Sequence, residues 1–361
     1  MVEKKVQVVG APPVMHAPPQ EVETDSEHEM DHEHEEYNEE TAKDEEHAHP
    51  DEGIEELMSA FPDDETDIDL THLRLTSTKY LDLPRFAKTL QRLGLRQNEI
   101  RTMRGKDLGI LTHLKELDLY DNQIEHIAGL ENCKDLEILD LSFNNIRHVS
   151  RVSHLAKCHT LYLVQNKIAR LRPTDLQAPI SDSLRSLELG GNRLRSLENL
   201  QHLTNLEELW VGKNKITSLD GIQALKNLRI LSIQSNRLTS LEHLDALTKL
   251  EELYVSHNGL TQLSGLEHNH ELNTLDFGAN QVDSLEGVQH LSKMSQFWAN
   301  DNQLQDINHI DQFLGPQLMP QLETVYLEGN PAQKKEGTGY RRKVQLALPQ
   351  IQQLDATPVR H

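Results

Sequence analysis

From residue 90 onward, apolar side chains recur at fixed offsets around a single polar residue. Around Asn214 they are Leu203, Leu206, Leu209, Val211, Ile216, Leu219 and Ile222; the same offsets around Asn236 give Leu225, Leu228, Leu231, Ile233, Leu238, Leu241 and Leu244. Within LEELWV the alternation puts Leu209 and Val211 on one face and Glu208, Trp210 and Gly212 on the other, which predicts a short strand with one buried side. The asparagine returns at Asn98, Asn122, Asn144, Asn166, Asn192, Asn214, Asn236, Asn258, Asn280, Asn302 and Asn330, at intervals of 24, 22, 22, 26, 22, 22, 22, 22, 22 and 28 residues. Self-similarity at this period predicts stacked coils, because one coil cannot bury its own leucines whereas a stack buries them as a continuous core. Each asparagine should turn inward at a strand end, where its amide satisfies backbone groups of its own and the neighbouring coil at about 1 kcal/mol net per bond.

This is the pattern of the leucine-rich repeat in its 22-residue form. The expected fold class is an α/β leucine-rich-repeat solenoid, or horseshoe, with a parallel sheet on the concave face and short helical or irregular connections on the convex face. Three regions are expected: an acidic disordered tail over 1–62, a solenoid of about 11–12 coils over 63–338, and a C-terminal cap over 339–361. The first coil is atypical, since IDLTHLRL has Ile68 and Leu70 as strand residues but Leu73 where the asparagine would fall. Ahead of it, Ile54, Leu57, Met58 and Phe61 share one face of a short helix, placed either over the open first coil or as a docking peptide. Two coils are longer, through RPTDLQAPISDS and FLGPQLMPQ, and their prolines put both insertions outside the strands. The cap YRRKVQLALPQIQQLDAT should form an amphipathic helix that lays Val344, Leu346, Leu348 and Leu354 on the last coil.

Charge changes the picture only at the N-terminus. Residues 1–70 hold 24 acidic against three basic side chains, so nearly all of the formal net charge of −22 belongs there and the remainder is close to neutral. So acidic a stretch with so few aromatics cannot offset its ordering entropy. Its histidine cluster, with His28, His32 and His34, lacks the spacing of a tetrahedral metal set, and Ser26 sits in a context acidophilic kinases accept. No signal peptide or membrane span is apparent, and a soluble intracellular protein is expected. Cys133 and Cys158 fall on leucine positions and read as buried core thiols. No phosphate loop, zinc pair or nucleophile triad appears, which argues against an enzyme, a cofactor or a metal. An acidic inner face argues against nucleic acid.

What remains is the outward strand column, four residues before each asparagine: Gly94, Asp118, Asp140, Tyr162, Glu188, Trp210, Ser232, Tyr254, Asp276, Trp298 and Tyr326. Exposed aromatics on a sheet can serve cross-strand packing alone. A row of aromatics among acids over roughly 40 Å nevertheless suits a protein partner, with the two tryptophans, roughly 20 Å apart, as separate anchors. The coils LYLVQNKI, LSIQSNRLTSLE, LYVSHNGL, FWANDNQL and VYLEGNP, together with the cap, resemble the leucine-rich-repeat regulatory subunits of protein phosphatase 1 from about Ile68 to Arg360. The resemblance implies a non-catalytic subunit whose concave face holds the phosphatase catalytic subunit and controls its activity or maturation. The positions it implies as contacts are Asp140, Tyr162, Glu188, Trp210, Asp276, Gln296, Trp298 and Tyr326, and Tyr254 joins them from the column itself. Tyr162 and Trp210 stand where the family commonly has phenylalanine, and Gln296 where it has glutamate. Nuclear and cytoplasmic residence, room for a further phosphatase inhibitor protein, no membrane and a monomeric free state complete the expectation. The alternative is a leucine-rich-repeat adaptor for another nuclear or cytoskeletal complex.

Overall fold

The strands of the coils, ahead of the C-terminal cap, are only three residues long because each has one inward apolar residue between two outward ones before the chain must turn. The computed structural model describes residues 53–359, so the acidic segment with its histidine cluster and Ser26 lies outside the described residues. In chain order come α1 (Ile54–Ser59), β1 (Asp67–Asp69), β2 (Arg92–Gly94), α2 (Gly105–Leu108), β3 (Glu116–Asp118), β4 (Ile138–Asp140), β5 (Thr160–Tyr162), α3 (Ile180–Ser183) and β6 (Ser186–Glu188). There follow β7 (Glu208–Trp210), β8 (Ile230–Ser232), β9 (Glu252–Tyr254), β10 (Thr274–Asp276), β11 (Gln296–Trp298), α4 (Asp311–Leu314), β12 (Thr324–Tyr326), α5 (Pro331–Glu336), α6 (Tyr340–Ala347), β13 (Gln353–Leu354) and β14 (Thr357–Pro358). All described strands form one sheet in sequence order, parallel throughout except for the last pair. The chain is a leucine-rich-repeat solenoid. α3 and α4 are single turns that take up the two insertions outside the sheet.

The asparagine performs the same three-way bond in coil after coil. Asn214 donates from Nδ2 to the Leu189 carbonyl of the coil before, at 3.0 Å, and to its own Val211 carbonyl at 3.0 Å; its Oδ1 accepts the Leu194 N–H at 2.9 Å. The residue just before each asparagine has positive φ, from Gln97 at 54° through Lys213 at 54° to Asp301 at 53°. Only Gly191 and Gly329 use glycine there, so most coils carry strain at that point, held by the ladder on either side. On the convex side two histidines repeat a second device. Nε2 of His154 lies 2.7 Å from the Leu130 carbonyl and that of His290 2.9 Å from the Leu266 carbonyl, and since a carbonyl only accepts, the proton sits on Nε2 in both. Asn269 replaces a leucine and donates to the carbonyls of Leu244 and Leu247 at 3.0 and 2.9 Å.

Both ends are covered. α1 buries Ile54 and Met58, one turn apart, but Leu57 is 39% exposed and Phe61 lies beyond the helix, so the expected four-residue face narrows to two. A six-residue helix has length for one i, i+4 pair on its inner face and no more. Arg85 ties it down by donating from Nη2 to the carbonyls of Met58 and Phe61 at 2.8 and 2.6 Å. At the far end Tyr340, Val344, Leu348 and Leu354 are buried, whereas Leu346 is 73% exposed: two residues past Val344, it falls on the opposite side of the helix. The repeat pattern gives no sign of how the chain closes beyond this helix. β13 adds a strand, antiparallel β14 then covers it, and Asp355 takes the place of a further asparagine. Its Oδ1 accepts the N–H groups of Leu327 and Glu328 at 2.8 and 3.0 Å, and Tyr340 donates its hydroxyl to Oδ2 at 3.1 Å. The sheet thus ends on a two-residue antiparallel strand carrying Pro358, which offers little edge for further pairing.

Candidate protein-binding face

Register brings the predicted residues together. Cα pairing runs Asp118 to Asp140, Tyr162, Glu188, Trp210, Ser232, Tyr254, Asp276, Trp298 and Tyr326, one step per strand, so the outward column is a single cross-strand row. Gln296 stands in the adjacent column, exposed between Thr274 and Thr324. The row's members are half-buried by one another, with one correction: Ser232, expected to be exposed, is buried.

The reason is aromatic. Trp210 and Tyr254 belong to strands two apart, yet their ring centroids are 6.3 Å apart at 22°, so the rings lean together over Ser232. Tyr254 stacks on Trp298 across Asp276 at 6.4 Å and 28°, and Trp298 meets Tyr326 at 6.3 Å and 49°. The two tryptophans are therefore not isolated anchors, because Tyr254 joins them into one apolar ribbon. Tyr254 donates its hydroxyl to Glu252 Oε2 at 2.7 Å, and Tyr326 Oη accepts from Gln353 Nε2 at 2.7 Å. Trp210 Nε1 is buried with no hydrogen-bond partner among the described residues.

The acids have a local role and a residual cost. Oδ1 of Asp118, Asp140 and Asp276 accepts the N–H two residues on, from Tyr120 at 3.0 Å, Ser142 at 2.8 Å and Gly278 at 3.0 Å. Despite those bonds, burial raises the carboxyl pKa of Asp140 and Asp276 above the ordinary aspartate value. Glu188 is raised as well, first by burial and then by the charges of Asp140 and Glu208. Tyr162, between Asp140 and Glu188, has its hydroxyl pKa raised by burial and then by those neighbours. Asp118 is paired with Arg96 at 3.1 Å, whereas Asp140, Glu188 and Asp276 form no ion pair among the described residues.

One aromatic group was not anticipated. Phe143 is 41% exposed at φ 56°, its ring centroid 4.8 Å from that of Tyr120, while Arg96 lies 4.2 Å over Tyr120 and bonds Asp118 at 3.1 Å. The only signal in the sequence was a bulky residue directly before Asn144, where other coils have polar or small ones. The two thiols are buried as expected, and burial pushes Cys133 and Cys158 up to about 12, outside the nucleophilic range. No group of His, Cys, Asp and Glu able to hold a metal ion occurs among the described residues.

Comparison with known proteins agrees with this architecture. A model for leucine-rich repeats in two copies matches residues 182–224, 204–247 and 226–268, and a second leucine-rich-repeat model matches 88–146. The chain is similar to "Protein phosphatase 1 regulatory subunit SDS22" of Saccharomyces cerevisiae, 44% identical over 103 residues, which is 28% of this chain and 30% of the relative. It is also similar to "Protein phosphatase 1 regulatory inhibitor subunit PPP1R7 homolog" of Arabidopsis thaliana, 33% identical over 178 residues, 43% of this chain and 52% of the relative. These matches span about a third to a half of the relatives' own length. Both relatives bear the family name that the residues pointed to, and both are named as regulatory rather than catalytic subunits. Among solved structures, an internalin (inlF) of Listeria monocytogenes superposes with a TM-score of 0.67 at 21% identity, covering 85% of this chain and 94% of that one, and speaks for the fold alone.

Proposed function

We propose that this chain is a non-catalytic regulatory subunit that binds the catalytic subunit of protein phosphatase 1 across its sheet face and controls its activity or maturation. What supports the reading is the in-register outward row, in which the ribbon Trp210, Tyr254, Trp298 and Tyr326 offers half-buried apolar area and Asp140, Glu188 and Asp276 offer carboxylates that form no ion pair among the described residues. Aromatic anchors with charged neighbours are the arrangement in which a few residues dominate a protein interface. The names of the curated relatives supply the partner class. On this reading the free chain is a monomer, the complex leaves room for a further phosphatase inhibitor protein, and the assembly resides in nucleus and cytoplasm. The test is titration of purified chain into purified phosphatase catalytic subunit, followed by calorimetry, together with a pull-down from extract read by mass spectrometry. A saturable complex of one chain to one catalytic subunit is expected. No complex, with a different dominant partner in the pull-down, would move the chain to the adaptor class.

A further inference from the structure

Beyond the asparagines, on the flank next to the sheet, lies a band of the opposite charge. Lys167, Arg193, Lys215 and Arg237 each follow an asparagine directly. Their N–H groups donate to the coil before: Lys167 to Ile146 at 2.9 Å, Arg193 to Ile168 at 2.9 Å, Lys215 to Leu194 at 2.8 Å and Arg237 to Ile216 at 2.8 Å. The four are thus locked in one row, adjacent members roughly 4.8 Å apart at the backbone, as neighbouring strands are. Arg195 and Lys213 flank the row and are exposed. None of the positions one, three and four residues past Asn166, Asn192, Asn214 and Asn236 is acidic.

Elsewhere on the solenoid some cations are matched across coils, as Lys157 is to Asp135 at 2.7 Å and Arg229 to Glu251 at 2.8 Å. Lys167, Arg193 and Arg237 enter no ion pair among the described residues. Like charges side by side, as at Lys167 and Arg193, are unfavourable in the solenoid, and the whole chain carries a formal charge of −22, so the band does not follow from composition. We propose that this flank is a second docking surface, which takes an acidic polypeptide segment of a partner along the row. Carboxylates of such a segment meet the row's cations, with the guanidinium forks of Arg193 and Arg237 available for paired hydrogen bonds. A nucleic acid fits less well, for its dense phosphate charge would lie beside the acids of the sheet row, and no aromatic ring stands in the band for a base to stack on.

The test uses the full chain, a fluorescent 20-residue polyglutamate and a fluorescent 20-nucleotide oligothymidylate, read by anisotropy at low and physiological salt. Polyglutamate should bind at low salt, and Lys167→Gln, Arg193→Gln and Arg237→Gln together should weaken it about tenfold, three exposed ion pairs at about 0.5 kcal/mol each. Arg229→Gln, which removes a matched cation, should change binding less than twofold. Should the triple variant fail to fold, Arg193→Gln alone carries the comparison, with a loss of about twofold. Absence of polyglutamate binding, equal affinity in wild type and variant, or tighter binding of the oligothymidylate would each overturn the proposal. The phosphatase is not in the assay, so the result is independent of the proposed regulatory role.

Discussion

The sheet row divides into two halves built on the same backbone. From β3 to β6 its outward residues are Asp118, Asp140, Tyr162 and Glu188; from β7 to β12 they are Trp210, Ser232, Tyr254, Asp276, Trp298 and Tyr326. Inward, both halves hold a buried apolar column, leucine in most coils and Phe297 and Val325 in β11 and β12, and the same asparagine ladder, with bonds near 3.0 Å in each. The first half presents half-buried carboxyls, whereas the second covers its small and acidic members with stacked rings. The fold therefore does not choose the outward residues. Rings that span two strands to touch, and acids whose pKa burial holds above the ordinary value, are what the proposed interface would use.

The largest effect should come from the shared interior. Truncation before Tyr340 removes β13, β14 and Asp355 and opens the buried contacts of Val344, Leu348 and Leu354, so loss of soluble, cooperatively folded protein is expected. A soluble truncation melting near the full-length value would break the claim that both halves depend on a closed end. Next is Leu209→Ala, fully buried beside Trp210, which should cost about 2–5 kcal/mol of stability in denaturant titration while the folded fraction keeps its affinity for the phosphatase.

The aromatic half is sharpened by a double-mutant cycle. Trp298→Ala and Trp210→Ala should each weaken phosphatase binding by about 2 kcal/mol, roughly 30-fold, with melting temperatures within a few degrees of wild type. Because Tyr254 stacks against both, the double variant should depart from additivity by about 0.5–1.5 kcal/mol. Strict additivity in calorimetry would show that the ribbon does not act as a unit. Unfolding of Trp298→Ala with unchanged affinity would make the row packing only.

The smallest effect belongs to an acid. Burial raises the folded-state pKa of Asp276 above its unfolded value, so between the two the folded state holds more protons, and stability falls as pH rises through that window and levels off above it. Asp276→Asn keeps an oxygen for the Gly278 N–H while removing the charge, and should raise the melting temperature at neutral pH by about 1–3 °C and flatten its pH dependence. A lower melting temperature at pH 7 would mean that the carboxylate's bond outweighs its desolvation.

Periodicity alone determined the coil, the asparagine, the parallel stacking and the outward row, because a repeat that must bury one face of a three-residue strand leaves each position a single direction. The buried thiols followed from the same register, and the cap helix from the amphipathic pattern of the segment where that register ends. Interactions between positions far apart in sequence were settled only by tertiary structure. Whether Trp210 reaches Tyr254 depends on Ser232 between them being small and on both rings leaning the same way, which no count along the chain contains. The same holds for Asp355, a lone acid whose place in the ladder exists only once β13 has docked, and for Leu57 and Leu346, apolar residues that helix length and phase turned outward. A row of cations 22 to 26 residues apart becomes a band only when the coils are stacked.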